Sequence, residues 1–154
     1  KNTLIIITSP NADAEGVLMI NFIKNFIKKN KLSNFVFFKS LGSQLYLSLL
    51  KISDGVVGNS SSGISEAPFF SVGTVNIGDR QEGRLMPPSI INCKTSKNAI
   101  VKSINRILTK NFKKESFKKS KMFGSGDTSK KITKKLLSFD FKKNNKKFFF
   151  DYLK

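Results

Sequence analysis

Hydrophobic and polar positions alternate along this chain in two different rhythms. Residues 3–8, Thr-Leu-Ile-Ile-Ile-Thr, form a near-continuous apolar run, as expected of a strand buried on both faces. Residues 17–29 change period: Val17, Ile20, Ile23 and Ile27 recur at helical spacing, with Lys24, Lys28 and Lys29 on the outer side. The same exchange then repeats. Residues 34–38 predict a second strand, 44–52 a helix after the turn Ser40-Leu41-Gly42-Ser43, and 55–58 a third strand. A helix over 63–70, strands over 74–77 and 89–93, and a helix over 98–109 follow. Residues 111–121 are lysine-rich with little pattern, and residues 122–129 read as a turn. Residues 130–137 predict a closing helix capped by Asp127, Thr128 or Ser129.

Apolar strands separated by helices predict an α/β fold, a doubly wound parallel sheet covered on both faces. Ligands of such sheets sit at the carboxyl ends of the strands. The loops at 10–13, 40–42, 59–63 and 78–84 each follow a strand, so all four are expected on one edge. At 154 residues the chain is one domain by size, read as residues 1–138 plus a lysine- and phenylalanine-rich tail at 139–154. It opens on Lys1 and runs straight into an apolar stretch, which reads as a domain cut from a longer protein. No apolar run reaches the roughly 18 residues a bilayer span needs, and no leader pattern opens the chain, so no membrane partner is expected. One cysteine, Cys93, in the apolar run Ile90-Ile91-Asn92-Cys93, reads as a buried, inert thiol of a cytoplasmic protein. With no histidine, a zinc or other soft-metal site is not expected.

A net charge of +18 raises the question of nucleic acid. Its distribution answers against it. Residues 1–100 carry 11 Lys+Arg against 6 Asp+Glu, whereas 101–154 carry 17 against 4. The excess belongs to the last third, and nearly all of it is lysine; only Arg80, Arg84 and Arg106 are arginine. Readers of bases and phosphates favour the guanidinium fork over the point charge of lysine. A lysine-rich solvated face is the plainer cause, and nucleic acid is not an expected partner. A non-catalytic polyanion-binding module using the C-terminal third is the alternative this charge leaves.

The densest chemistry lies in Asp54-Gly55-Val56-Val57-Gly58-Asn59-Ser60-Ser61-Ser62-Gly63-Ile64-Ser65-Glu66. A strand ends in Gly-Asn, passes through three serines and a glycine, and enters a helical segment. Small side chains, hydroxyl donors and backbone N–H groups at a helix start suit a phosphate. A glutamate one turn later can accept hydrogen bonds from vicinal sugar hydroxyls. The plainer reading is a serine-rich cap with a first-turn glutamate favouring the helix dipole.

Four motifs taken together, Pro10-Asn11-Ala12-Asp13, Ser40-Leu41-Gly42, Gly58-Asn59-Ser60-Ser61-Ser62-Gly63-Ile64-Ser65-Glu66-Ala67-Pro68 and Asn76-Ile77-Gly78-Asp79-Arg80-Gln81-Glu82-Gly83-Arg84, resemble one family. It is the hydrolysing UDP-N-acetylglucosamine 2-epimerases of sialic-acid biosynthesis and their bacterial relatives, and the likeness runs from about residue 3 to 137. The resemblance implies a Rossmann-like, UDP-binding C-terminal half of a two-domain, glycosyltransferase-B-type enzyme. It implies loss of the C2 proton, elimination of UDP and addition of water to the glycal, giving N-acetylmannosamine or a diacetamido-trideoxy analogue. No cofactor is implied. The partners it implies are a UDP-sugar, an N-terminal domain of the same polypeptide and a second copy in a homo-oligomer.

By the same resemblance, Ser60 and Ser61 face the diphosphate, with Ser62 and Gly63 adding backbone N–H groups. Glu66 clamps the ribose and Arg80 the diphosphate, while Asn11 and Asp13 contribute from the first loop. The plainer roles are an Arg80 salt bridge to Asp79 or Glu82, and simple turn formation by Asn11 and Asp13. Gly42 reads as a tight turn or a close backbone approach, and Arg84 as either a ligand residue or a surface charge. The chain reads Thr8-Ser9-Pro10 where many relatives carry an aromatic before the proline, which removes a stacking contact there. The family's catalytic carboxylates and histidine belong to the other domain and the junction. No catalytic residue is therefore assigned in this chain, which by itself should bind UDP weakly and turn nothing over.

Overall fold

A computed structural model describes residues 3–10, 14–117, 121–124 and 126–141. Its strands are β1 (Ile5–Thr8), β2 (Phe35–Phe38), β3 (Gly55–Gly58), β4 (Gly73–Ile77) and β5 (Ile90–Cys93). Its helices are α1 (Ala14–Lys29), α2 (Gly42–Ile52), α3 (Ser62–Ser65), α4 (Lys97–Ile107), α5 (Lys110–Phe117) and α6 (Thr128–Leu137). All strand pairings are parallel, and the fold is a Rossmann-like α/β layer. The strands fall into two sheets among the described residues, β1-β2 and β3-β4-β5. The expected single sheet is thus divided between β1 and β3.

The β3-β4-β5 sheet is filled on both faces, and strand alternation decides which residue goes where. Val75 and Ile77 of β4, with Ile91 and Cys93 of β5, pack with Ile104 and Ile107 of α4 and with Phe112 of α5. The opposite face takes Val56 of β3 against Leu50, Tyr46 and Leu47 of α2 and against Ala67, Phe70 and Val72. Cys93 is a half-buried free thiol, not the fully buried one expected, because its side of β5 lies at the margin of the first cluster.

Three sequence readings change. The helix expected over 63–70 is one turn of α3 followed by a 3-10 turn, Ala67–Phe70. Pro68 has no N–H to give to the Ile64 carbonyl, so an α-helix cannot run through it. The lysine-rich segment after residue 110 is helical, because Phe112 is buried and anchors α5. Asp127 stands at the start of α6 but makes an ion pair with Lys131 at 3.0 Å instead of a side-chain cap. The tail read at 139–154 lies outside the described residues from residue 142 onward.

Ile107 is 1% exposed at the centre of the first cluster. Truncating such a residue removes its transfer energy and leaves a cavity. Ile107→Ala is expected to lower the unfolding free energy by about 2–5 kcal/mol, measured by urea denaturation.

Candidate functional site

Two hydrogen bonds link the segments that follow β2, β3 and β4, from Tyr46 to Ser62 and from Gln81 to Asn59. The first turns at Gly42, where φ is +65° and no atom crowds the missing Cβ, so its glycine serves the turn and not a close approach. The Gly42 N–H donates to Ser40 Oγ at 3.3 Å, and the chain enters α2. One turn later Tyr46 reaches the second loop, the serine segment after β3.

The serine segment is held from behind. Thr74 Oγ1, buried on β4, donates to the Gly63 carbonyl at 2.7 Å. A Cβ on residue 63 would lie 2.7 Å from Thr74 Cγ2, so this approach requires glycine. The Gly63 N–H donates to Ser60 O at 3.2 Å, and the Ser62 N–H reaches Ser60 Oγ at 3.4 Å. These two amides, expected to face a ligand, close the loop's own turn instead. The amides of Ser60 and Ser61 have no acceptor among the described residues, and both residues are exposed.

Ser62 is the interior member of the trio. Its hydroxyl donates to Glu66 Oε2, and the Tyr46 hydroxyl bonds to the same Ser62 oxygen. Ser62 has one proton, so Tyr46 must be the donor in that second bond. The chain Tyr46 to Ser62 to Glu66 orients a half-buried carboxylate and leaves Glu66 Oε1 unused among the described residues. Tyr46 escaped the sequence reading because it falls at a helical core position; only the contact with Ser62 distinguishes it.

The third loop follows β4. Gln81 is buried there and its Nε2 donates to the Asn59 carbonyl at 2.7 Å. Asn59 precedes Ser60 and Gln81 follows Arg80, so this bond lays the two loops side by side. Arg80 and Arg84 are exposed, and neither has a salt bridge among the described residues; the plainer role considered for Arg80 is not observed. Gln81 Oε1 is buried without a partner. A cleft of about 590 Å³ opens beside this loop at the ends of β4 and β5, lined by Asn76, Gly78, Asp79, Glu82, Asn92 and Thr95 among others. Asn76 donates to Asn92 Oδ1 at 2.8 Å across the strand pair, and its own Oδ1 is buried and unpaired.

The structure therefore gathers Ser60, Ser61, Ser62, Gly63, Glu66 and Arg80 on adjoining loops. Asn11 and Asp13 lie outside the described residues. No group of three or more metal-ligating side chains occurs among the described residues. No described helix is long and apolar enough to cross a membrane.

Comparison with known proteins gives the arrangement a context. The family profile described as UDP-N-acetylglucosamine 2-epimerase matches residues 1–137. A GDP/UDP-N,N'-diacetylbacillosamine 2-epimerase (hydrolyzing) of Campylobacter jejuni is 44% identical over 113 residues, 73% of this chain and 29% of that protein. A polysialic acid biosynthesis protein of Escherichia coli is 43% identical over 106 residues, 68% of this chain and 26% of its own length. A UDP-N,N'-diacetylbacillosamine 2-epimerase (hydrolyzing) of Legionella pneumophila is 32% identical over 130 residues, 84% and 33% of the two chains. The chain thus spans about a third or less of each of these relatives.

Gln81→Leu keeps the bulk but leaves the Asn59 carbonyl without its donor. It is expected to cost about 1–3 kcal/mol of stability and to speed hydrogen exchange at the amides of Gly63 and Ile64. Exchange at those amides equal to that of the unsubstituted protein would show that the two loops hold their places independently.

Proposed function

Because the chain belongs to the UDP-N-acetylglucosamine 2-epimerase family, we propose that it is the UDP-binding portion of a hydrolysing UDP-sugar 2-epimerase. The observation that supports this reading is the Gln81–Asn59 hydrogen bond, which joins the loop of Arg80, an arginine with no salt bridge among the described residues, to the loop of the exposed Ser60 and Ser61. A guanidinium offers two parallel donors to a pair of phosphate oxygens, and hydroxyls with free amides suit the remaining ones. Ser60, Ser61 and Arg80 take the diphosphate. Glu66, steadied by Ser62 and Tyr46, keeps one carboxylate oxygen for the ribose hydroxyls.

The chemistry gives these contacts a second use. When the bond between the sugar C1 and the diphosphate oxygen breaks, negative charge grows on the leaving UDP. Donors aimed at that oxygen stabilise the transition state more than the ground state. Arg80 and the serines therefore assist departure of UDP, while the groups that remove the C2 proton and activate water come from outside this chain. The product is N-acetylmannosamine or a diacetamido-trideoxy analogue, and the names of the relatives from Campylobacter jejuni and Legionella pneumophila favour the second. The site acts in the cytoplasm, as half of a glycosyltransferase-B-type pair of domains, within a homo-oligomer.

Calorimetric titration with UDP and with uridine separates the two roles. Arg80→Ala is expected to weaken UDP about 10- to 100-fold, as for a lost charge-assisted hydrogen bond, and to leave uridine binding unchanged. Glu66→Ala should weaken both ligands. UDP affinity unaltered in Arg80→Ala would sink the assignment of the diphosphate site.

A further inference from the structure

The charge excess of the last third has a location. Helix α6 buries none of its residues, and four of its ten are lysines, at 130, 131, 134 and 135. Ile132 and Leu136, one helical turn apart, share a face and are 54% and 53% exposed. Lys131 and Lys135 border that face, Lys131 being shared with Asp127. Phe139 and Phe141 follow at the end of the helix. Their rings meet edge-on at 5.0 Å and stay 39% and 61% exposed.

The sequence carries the same chemistry onward. Residues 130–154 hold nine lysines against two aspartates, with no arginine, and five phenylalanines. The family profile ends at residue 137. All five phenylalanines lie past it, outside the portion of the fold that the family holds in common. Crossing a bilayer takes about 18 consecutive apolar residues, which this sequence lacks; lying on one takes only an apolar face bordered by cations.

We propose that α6 and the residues after it form a docking surface for an anionic lipid bilayer, with the lysines against the headgroups and Ile132, Leu136, Phe139 and Phe141 at the acyl boundary. Lysine suits this partner, because a headgroup layer is a diffuse negative sheet that asks for charge and not for a bidentate fork. The aliphatic residues separate lipid from nucleic acid. Bases stack on aromatic rings, but only acyl chains take up exposed isoleucine and leucine. A convex helix also offers no groove in which a single strand could run. Each lysine near an anionic surface strengthens binding about fivefold, so contacts that are weak singly suffice together. The inference rests on charge and exposure and is independent of the UDP reading.

Vesicle flotation of the full-length protein tests this. Phosphatidylcholine vesicles with phosphatidylglycerol at about one part in three should carry the protein at low salt and release it at high salt. Vesicles of phosphatidylcholine alone should not carry it. Lys134→Gln combined with Lys135→Gln should weaken the partition about 10- to 30-fold, and Phe141→Ser about 10-fold. Deleting residues 139–154 should remove most of the affinity for vesicles and leave UDP binding unchanged. No flotation with the anionic vesicles would overturn the proposal, as would equal flotation with the neutral ones. Lysine-dependent binding that ignores Phe141→Ser and is competed by a single-stranded oligonucleotide would assign the surface to nucleic acid. A full-length protein that stays in solution while the 154-residue chain floats would assign the α6 face to another part of the polypeptide. Either result would also overturn it.

Discussion

The hydrogen bond from Thr74 to the Gly63 carbonyl is the contact from which the rest of the site is placed. It is buried, and a side chain at residue 63 would collide with the donor's own methyl group. Thr74 is itself immobilised, because its backbone N–H donates to Ser89 O at 2.9 Å and its strand lies between β3 and β5. The next residue, Val75, points the other way into Ile107 and Phe112. A line of packed groups thus runs from the hydrophobic cluster under α4, through one strand, to the turn carrying Ser60 and Ser61. Hydrophobic burial supplies the stability, and one buried polar bond converts it into position.

The polar groups around that turn divide into a committed set and an open set. Ser62, Tyr46, Glu66 and Gln81 spend hydrogen bonds on one another or on the backbone. Ser60, Ser61 and Arg80 face outward, and no salt bridge holds Arg80 among the described residues. A site arranged this way has its supporting shell ordered before a ligand arrives, so less ordering entropy opposes binding. The division also sorts a run of three chemically identical serines by role. Ser62 belongs to the scaffold through its hydroxyl; Ser61 presents its own, and Ser60, whose oxygen accepts from the Ser62 amide, keeps its proton to donate.

Much of this was legible in the sequence, for reasons that differ by element. The five strands stood out as short near-continuous apolar runs, although only β4 is buried along most of its length and Val36 and Phe38 of β2 are exposed. Helix α1 stood out by period. The helix through residue 68 was misread because apolar periodicity continues across Pro68 although its missing N–H cannot continue the ladder. Helix α5 was invisible because one buried side chain, Phe112, outweighs a composition that looks solvated. Gln81 and Tyr46 show the limit most clearly. Each acts through a contact with a residue more than a dozen positions away, and nothing in local spacing encodes such a partner. The division of the sheet was likewise unreadable, since each strand looks the same whether its neighbour is present or absent.

That division and the candidate site bear on one another. In doubly wound sheets the ligand crevice lies outside the carboxyl ends of the strands, where the strand order reverses direction. In this chain the reversal falls between β1 and β3, which share no ladder among the described residues. The serine turn leaves the carboxyl end of β3, the strand on one side of that place. The loop bearing Asn11 and Asp13 leaves β1, the strand on the other side. The serine turn is held from the β3-β4-β5 sheet, by the bonds of Thr74 to Gly63 and of Gln81 to Asn59, so its geometry is set independently of the β1 side.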